Sequence, residues 1–119
     1  YVPDAIVHHV GAACSGGQRS DFSVYYGHRN LVWAYVKNMP GWLVWTCLPL
    51  HLAMNCAVIA KFTMRGQGRV ILKAKWDALR GLPRMLRKRN EIQRQRRVAV
   101  SEIWRVVDKR PWPLRKKNR

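Results

Sequence analysis

The chain has 119 residues and carries 23 Lys and Arg against six Asp and Glu, a formal net charge of +17. Its length accommodates one small domain. A hydrophobic content of 48%, including six Trp, excludes a disordered basic tail, because such segments are poor in large apolar residues. The cysteines Cys14, Cys47 and Cys56 form no Cys-x-x-Cys pair, so neither a zinc ribbon nor a disulfide framework is indicated.

The N-terminus carries no targeting signal. The chain begins with Tyr1 rather than Met, and no charged region precedes an apolar stretch, so a signal peptide is not indicated. We therefore expect a segment of a longer polypeptide.

The positive charge is concentrated in the second half. Residues 1–64 hold four Lys or Arg and two Asp, a net charge of +2, whereas residues 65–119 have a net charge of +15. This asymmetry indicates a polyanionic partner, either nucleic acid or an anionic membrane surface. Charge does not discriminate between these partners, but the neighbouring apolar segments do.

The first twenty residues predict a strand and a loop. Residues 5–7 are a short β-prone run after Pro3, and residues 11–20 are small and rich in Gly and Ser. No Lys-bearing P-loop pattern is present, so a phosphate-cradling loop is not supported. A helix is predicted over residues 22–39, capped by Ser20 or Asp21.

Residues 42–60 are the most unusual stretch, because they contain no Asp, Glu, Lys or Arg. As a helix they would extend about 28 Å, with Trp42 and Trp45 at one end and a Pro49 kink. Three interpretations stay open: a buried core helix, a kinked helix in the membrane interface, and a membrane span.

An amphipathic helix with an interruption near Gly81 is predicted next. Its apolar face consists of Leu72, Trp76, Leu79, Leu82 and Leu86, and we interpret these residues, with Trp42 and Trp45, as membrane-facing. Its basic face and the following residues predict an anionic-surface site formed by Lys73, Arg80, Arg84, Arg87, Lys88 and Arg89. The alternative is the solvated face of an ordinary helix.

The C-terminal part begins with a charge run at residues 87–97 in which Ile92 is the single apolar residue. A short helix capped by Ser101 is predicted over residues 101–109, and Pro111 and Pro113 prevent its continuation into the basic tail.

The order of several short motifs resembles the C-terminal end of bacterial family 2 glycosyltransferases, of the rhamnosyltransferase-like branch. The motifs are Tyr-Val-Pro-Asp-Ala-x-Val-x-His at residues 1–9, Tyr-Tyr-Gly-x-Arg-Asn at 25–30, the Lys-Asn-x-Pro-Gly break at 37–41 and the Leu-Arg-Gly-Leu-Pro core at 79–83. The resemblance extends from Tyr1 to about Val107. Each motif alone is weakly specific, and their order makes the set moderately specific.

This resemblance implies an N-terminal GT-A catalytic domain that binds a nucleotide-sugar and a divalent metal, Mg or Mn, through an Asp-x-Asp motif. By position, His9 would complete the metal or diphosphate site, with His8 as the fallback and a ligand-free histidine at the end of a strand as the alternative. The Arg29–Asn30 pair matches a family pair that we place at the structural junction between the catalytic domain and the helices.

The chain departs from the family pattern in the placement of its acidic residues. All six are isolated in the sequence, so no Asp-x-Asp exists, and no nucleotide-binding βαβ unit is present. Glycosyl transfer needs cationic stabilisation of the leaving diphosphate and a base for the acceptor hydroxyl. We therefore expect no catalytic residue here and no activity from this chain alone.

These patterns predict a mainly α chain whose amphipathic and apolar helices follow a short N-terminal strand, and the resemblance implies that this strand completes a missing GT-A domain. Residues 1–30 would close that domain, residues 31–96 would associate with the membrane, and residues 97–119 would form a short helix and a basic tail. The expected role is to hold a glycosyltransferase at the cytoplasmic face of the bacterial inner membrane, near a lipid-linked glycan acceptor. A nucleic-acid-binding module and a small basic membrane protein without activity are the alternatives.

Overall fold

The computed structural model describes residues 16, 17 and 19–107, and this part of the chain is mainly helical. It contains six helices and no strand: α1 (Asp21–Asn38), α2 (Leu43–Thr46), α3 (Leu48–Met64), α4 (Gly68–Arg80), α5 (Leu82–Arg94) and α6 (Val100–Val106). The mainly α prediction is therefore confirmed for the described residues. The predicted strand at residues 5–7, His8 and His9 lie outside them.

Helix α1 forms where local signals place it. The Ser20 hydroxyl accepts a hydrogen bond from the Ser23 amide at 3.2 Å, so Ser20 rather than Asp21 is the N-cap. The charges of Asp21 in the first turn and Lys37 in the last turn both interact favourably with the helix dipole. The helix continues through Gly27 and ends before Pro40, and the boundary expected between residues 30 and 31 falls inside it.

The apolar stretch folds as two helices that meet at Cys47. The break lies two residues before Pro49, which occupies the first turn of α3, where a proline displaces no intrahelical hydrogen bond. Gly66, with a φ of 82°, then turns the chain from α3 into α4, a conformation that strongly favours glycine.

The predicted amphipathic helix is divided into α4 and α5 at Gly81, as its sequence indicated. A Cβ atom on this residue would lie 2.6 Å from the Trp33 ring, so the junction has room for glycine alone. The Trp33 indole Nε1 donates a hydrogen bond of 2.9 Å to the Ala78 carbonyl, which fixes the ring against the junction.

Helix α1 packs against α4 and α5, and α3 packs against α4. The core is small and lies mainly along the α1 side of α4, where Ile71, Ala74 and Ala78 are buried. The other buried apolar residues of the described part are Val24, Leu43, Pro40 and Met85. The Tyr25 hydroxyl also joins α1 to α4 through a 2.6 Å hydrogen bond to Asp77.

Helix α6 begins one residue earlier than predicted. Ala99 is extended at the N-cap position, and its carbonyl accepts from the Ile103 amide, so Ser101 lies inside the helix and makes no cap. The Ser101 cap prediction is therefore wrong. Trp104 of α6 contacts Trp42 edge to face, with ring centroids 5.7 Å apart.

Candidate functional site

Helix α3 is apolar around its circumference, yet none of its side chains is buried. It packs against α4 on one side, and the opposite side leaves Leu50 57%, Met54 52% and Met64 88% exposed. Helices that are apolar all round are normally enclosed by protein or lipid. Within the described residues, α3 is therefore not a buried core helix, whereas Leu43 of α2 is buried.

Helix α4 divides its surface into a buried sector, an exposed apolar sector and a cationic sector. At about 100° per residue, Leu79, Leu72 and Trp76 project roughly 80–140° around the axis from the buried Ile71. Leu72, Trp76 and Leu79 are each more than half exposed. This apolar sector faces away from α1 and is continuous with the side on which α3 lies.

Cationic side chains border that apolar sector. Arg69, Arg80 and Lys73 follow Trp76 at roughly 160–200° from Ile71, and all three are exposed. On α5, Leu86 is also exposed, but the basic side chains are distributed differently, because Arg84 and Lys88 lie beside Trp33 and Lys37 of α1. An apolar sector bordered by Lys and Arg is the pattern of helices that lie in a membrane interface.

An apolar groove of about 450 Å³ runs between α3 and the pair α4 and α5. Its walls include Trp45, Leu52, Leu79, Leu82 and Leu86. We call this feature the α3 groove. Its volume falls within the range of roughly 300–1,000 Å³ that is usual for ligand pockets.

Lys75 is one of two cations that line the α3 groove, the other being Arg89. The Lys75 ammonium donates hydrogen bonds to the Asn55 side-chain oxygen at 2.5 Å and to the His28 carbonyl at 3.2 Å. Burial lowers the pKa of Lys75. No ion pair involving Lys75 occurs among the described residues, so two neutral oxygens alone compensate its charge.

Two histidines surround this lysine. The His51 ring stacks on Tyr35 with centroids 4.0 Å apart, and the His28 ring meets Phe62 edge to face at 5.0 Å. Burial, followed by the charge of Lys75, lowers the pKa of both imidazoles. His51 Nε2 and His28 Nδ1 are buried without a hydrogen-bond partner, an arrangement that favours the neutral rings.

Arg89 differs from the other predicted anionic-surface residues because it is half-buried. Its Nη1 donates to the carbonyl of Val36 at 2.8 Å and also to that of Met39, so it caps the C-terminal end of α1. Lys73, Arg80, Arg84, Arg87 and Lys88 are all exposed. The structure therefore leaves five of the six predicted cations on the surface, and Arg89 adds a structural contact.

The predicted membrane-facing residues lie mostly at the surface. Trp45 is 72% exposed and Trp76 61% exposed, whereas Leu82 is half-buried in the groove and Trp42 packs on Trp104. In the structure, four of the seven side chains line the α3 groove: Trp45, Leu79, Leu82 and Leu86. Whether they contact lipid stays a prediction.

The Arg29–Asn30 pair lies in α1, away from the α3 groove. The Arg29 guanidinium stacks at 4.4 Å from the Trp33 ring centroid and 4.7 Å from that of Tyr26, and it donates to the Asn30 side-chain oxygen. This stack orders the Trp33 ring next to the α4–α5 junction. The junction with a catalytic domain stays a prediction.

The divalent metal implied by the resemblance has no ligand set in the described part of the chain. No group of three or more His, Cys, Asp or Glu lies close enough there to hold an ion. Between residues 19 and 107, no helix combines the length and apolar character that crossing a membrane requires.

Comparisons with protein-family models, curated proteins and solved structures gave no match to this chain.

Sequence reasoning missed Lys75, His28 and His51 as one cluster. Lys75 follows Ile71 by one turn on α4 and so lies beside the buried sector, but the sequence analysis took Leu72, Trp76 and Leu79 as the apolar face and did not identify that sector. The approach of α3, which supplies His51 and Asn55, depends on long-range packing, and no local signal predicts it.

Proposed function

We propose that the described helices form a peripheral membrane-binding module that associates with anionic lipid bilayers. The observation that carries this proposal is α3, an apolar 17-residue helix without a buried side chain. Lipid acyl chains would cover its outer face and the adjoining sector of α4. Trp45 and Trp76 would lie at the level of the headgroups, where indole rings are favoured.

The surrounding charge supports the same proposal. Lys and Arg near an anionic bilayer contribute roughly 1 kcal/mol each, and exposed cations border the apolar sector on α4. Apolar burial and surface charge would act together, as stable peripheral binding usually requires two signals.

Co-sedimentation of the 119-residue chain with vesicles tests this function. We expect binding to vesicles of equal parts phosphatidylcholine and phosphatidylglycerol, and weak binding to phosphatidylcholine alone. The double variant Trp45→Ser/Trp76→Ser should weaken binding to the anionic vesicles by about tenfold or more, since burying large side chains contributes roughly 1.5–3 kcal/mol each.

The control variant is Phe22→Ser, which removes an aromatic ring that is 58% exposed. Phe22 lies about 15 Å along α1 from the groove residue Val32. Its substitution should leave vesicle binding within about twofold of the wild type. Failure of the wild-type chain to bind anionic vesicles at moderate salt would show that the membrane function is wrong.

We further propose that this module belongs to a family 2 glycosyltransferase and holds it at the cytoplasmic face of the bacterial inner membrane. The ordered motifs between Tyr1 and Val107 support this proposal. In the whole enzyme, a nucleotide-sugar and Mg or Mn would bind to a preceding GT-A domain, and a lipid-linked glycan would be the acceptor. The module would place the catalytic domain beside that acceptor.

The polypeptide encoded by the extended reading frame tests the enzymatic part. We expect an Asp-x-Asp motif before Tyr1 and sugar transfer that depends on Mg or Mn. A start codon immediately before the Tyr1 codon would refute this part and leave the membrane function standing.

Nucleic-acid binding is the competing outcome of the vesicle experiment, because a net charge of +17 also suits phosphate backbones. A salt-dependent mobility shift of DNA without vesicle binding would favour it. The exposed apolar face of α3 has no role in that function.

A further inference from the structure

The α3 groove differs from the rest of the apolar surface because it is concave and has charged groups of one sign. Most of its lining residues are apolar, and its charged side chains are Lys75 and Arg89. No Asp or Glu lines it. An occupant that matches these walls therefore has a long apolar body and a negative group.

The two cations lie apart along the groove. Lys75 is on α4 and Arg89 is on α5, fourteen residues later in the sequence and beyond the break at Gly81. Leu79, Leu82 and Leu86 line the groove between them. Apolar side chains therefore separate the two cations along the sequence of the groove wall.

Lys75 has bonding capacity for such a ligand. An ammonium group has three donors, and two of them are used by the Asn55 oxygen and the His28 carbonyl. Its pKa is lowered by burial, so an anion beside it would restore the compensation that the protein does not supply.

We propose that the α3 groove binds one acyl chain of an anionic phospholipid, with the lipid phosphate paired to Lys75. This inference rests on the proposed membrane function and names the ligand of the same surface. The groove is continuous with that surface, because Trp45, Leu79 and Leu86 line its walls and are also at least half exposed. A lipid in the bilayer could therefore enter without leaving the membrane.

A hydrocarbon chain suits these walls better than a peptide does. Each residue of an extended peptide brings an amide and a carbonyl that need hydrogen-bond partners, and burial without a partner is unfavourable. The groove offers few polar atoms, and those of Asn55 and Lys75 already bond to each other. An acyl chain needs none.

Binding of monomeric lysophospholipids to the 119-residue chain, measured by native mass spectrometry and calorimetry, tests this inference. The probes are lysophosphatidylglycerol and lysophosphatidylcholine below their critical micelle concentrations. We expect one lysophosphatidylglycerol per chain and about tenfold weaker binding of lysophosphatidylcholine. Lys75→Met should abolish that preference, whereas Arg94→Met, an equal loss of charge at an exposed position of α5 outside the groove, should leave it unchanged.

A second pair of variants tests the groove without touching its charge. Cys56→Trp fills the groove and should abolish lysolipid binding, whereas Met54→Trp places the same bulk on the outer face of α3 and should preserve it. Far-UV circular dichroism checks that each variant is folded. Because the two pairs alter different helices, misfolding of one variant leaves the other pair decisive.

Equal effects within either pair would overturn the inference, because binding would then follow overall charge or apolarity. Binding to anionic vesicles without binding of monomeric lysophosphatidylglycerol would overturn it as well, while leaving the membrane function intact. Absence of both would remove the membrane function together with the groove ligand.

Discussion

At the scale of single residues, replacing Gly81 by Ala should destabilise the fold, which is the opposite of what helix propensity predicts. In most helical positions, replacing Gly by Ala stabilises a protein by about 0.5–1 kcal/mol. Here the added Cβ would lie 2.6–2.8 Å from atoms of the Trp33 ring. That ring is held by its hydrogen bond to the Ala78 carbonyl and by the Arg29 guanidinium.

We therefore expect Gly81→Ala to lower the free energy of unfolding by about 1–3 kcal/mol, the usual effect of overpacking. Gly27→Ala is the matched control, since a Cβ there meets no atom within 4 Å, and it should raise the free energy of unfolding by about 0.5–1 kcal/mol. Chemical denaturation followed by circular dichroism measures both. Stabilisation by both substitutions would contradict the packing of Trp33 at the junction.

His28 and His51 make stability depend on pH. Burial and Lys75 lower the pKa of both rings below the ordinary value of 6.5, so the unfolded chain takes up protons first as the pH falls. The stability that the neutral rings provide is complete above about pH 6.5 and is lost as the pH decreases toward their folded pKa.

The melting temperature should accordingly fall between about pH 7 and about pH 5, and His51→Phe should reduce that fall. Phenylalanine keeps a ring against Tyr35 and removes a group that titrates. Thermal melts of the wild type and the variant across this range give the comparison. An unchanged slope in His51→Phe would show that other groups cause the pH dependence.

At the scale of elements, helix boundaries were more predictable than helix partners. Ser20, Pro40 and Gly81 act on their own segments, so the sequence predicted the cap of α1, its end and the α4–α5 break. The buried sector of α4 was not predicted, because two of its three residues are alanines, which give a weak hydrophobic signal beside Leu72 and Trp76. Helix α1 packs against this sector because its small side chains let the Trp33 ring of α1 come close to the α4 backbone.

Substitutions on the outer face of α3 distinguish a helix covered by lipid from a helix covered by protein. Leu50→Gln/Met54→Gln should change the free energy of unfolding in water by less than about 0.5 kcal/mol, because both side chains are exposed. The same variant should weaken binding to phosphatidylglycerol vesicles by about tenfold or more. Vesicle co-sedimentation and denaturation give the two numbers.

Sedimentation of this variant supplies the control for self-association. If the wild type is a dimer and Leu50→Gln/Met54→Gln a monomer, a second copy covers α3 and the membrane explanation of this face is wrong. A monomeric wild type leaves the face open to lipid.

At the scale of the whole molecule, the core of the described residues is small. The buried side chains of the described part concentrate where α1 meets α4 and α5, and α3 adds none. Local sequence patterns predicted helices with exposed apolar faces. They could not predict which surface covers those faces, because that depends on contacts between distant parts of the chain or with a partner.

A small core combined with exposed apolar helix faces predicts that lipid stabilises the chain as a ligand would. A ligand that binds the folded state alone raises its stability by about 2.7 kcal/mol when present at a hundredfold excess over its dissociation constant. Phosphatidylglycerol vesicles should therefore raise the melting temperature, whereas phosphatidylcholine vesicles should have little effect. Added salt should reduce the difference, because it screens exposed Lys and Arg but leaves apolar burial in place. Melts followed at 222 nm in the two lipids and at two salt concentrations measure this, and stabilisation by DNA but not by phosphatidylglycerol would instead assign the surface to nucleic acid.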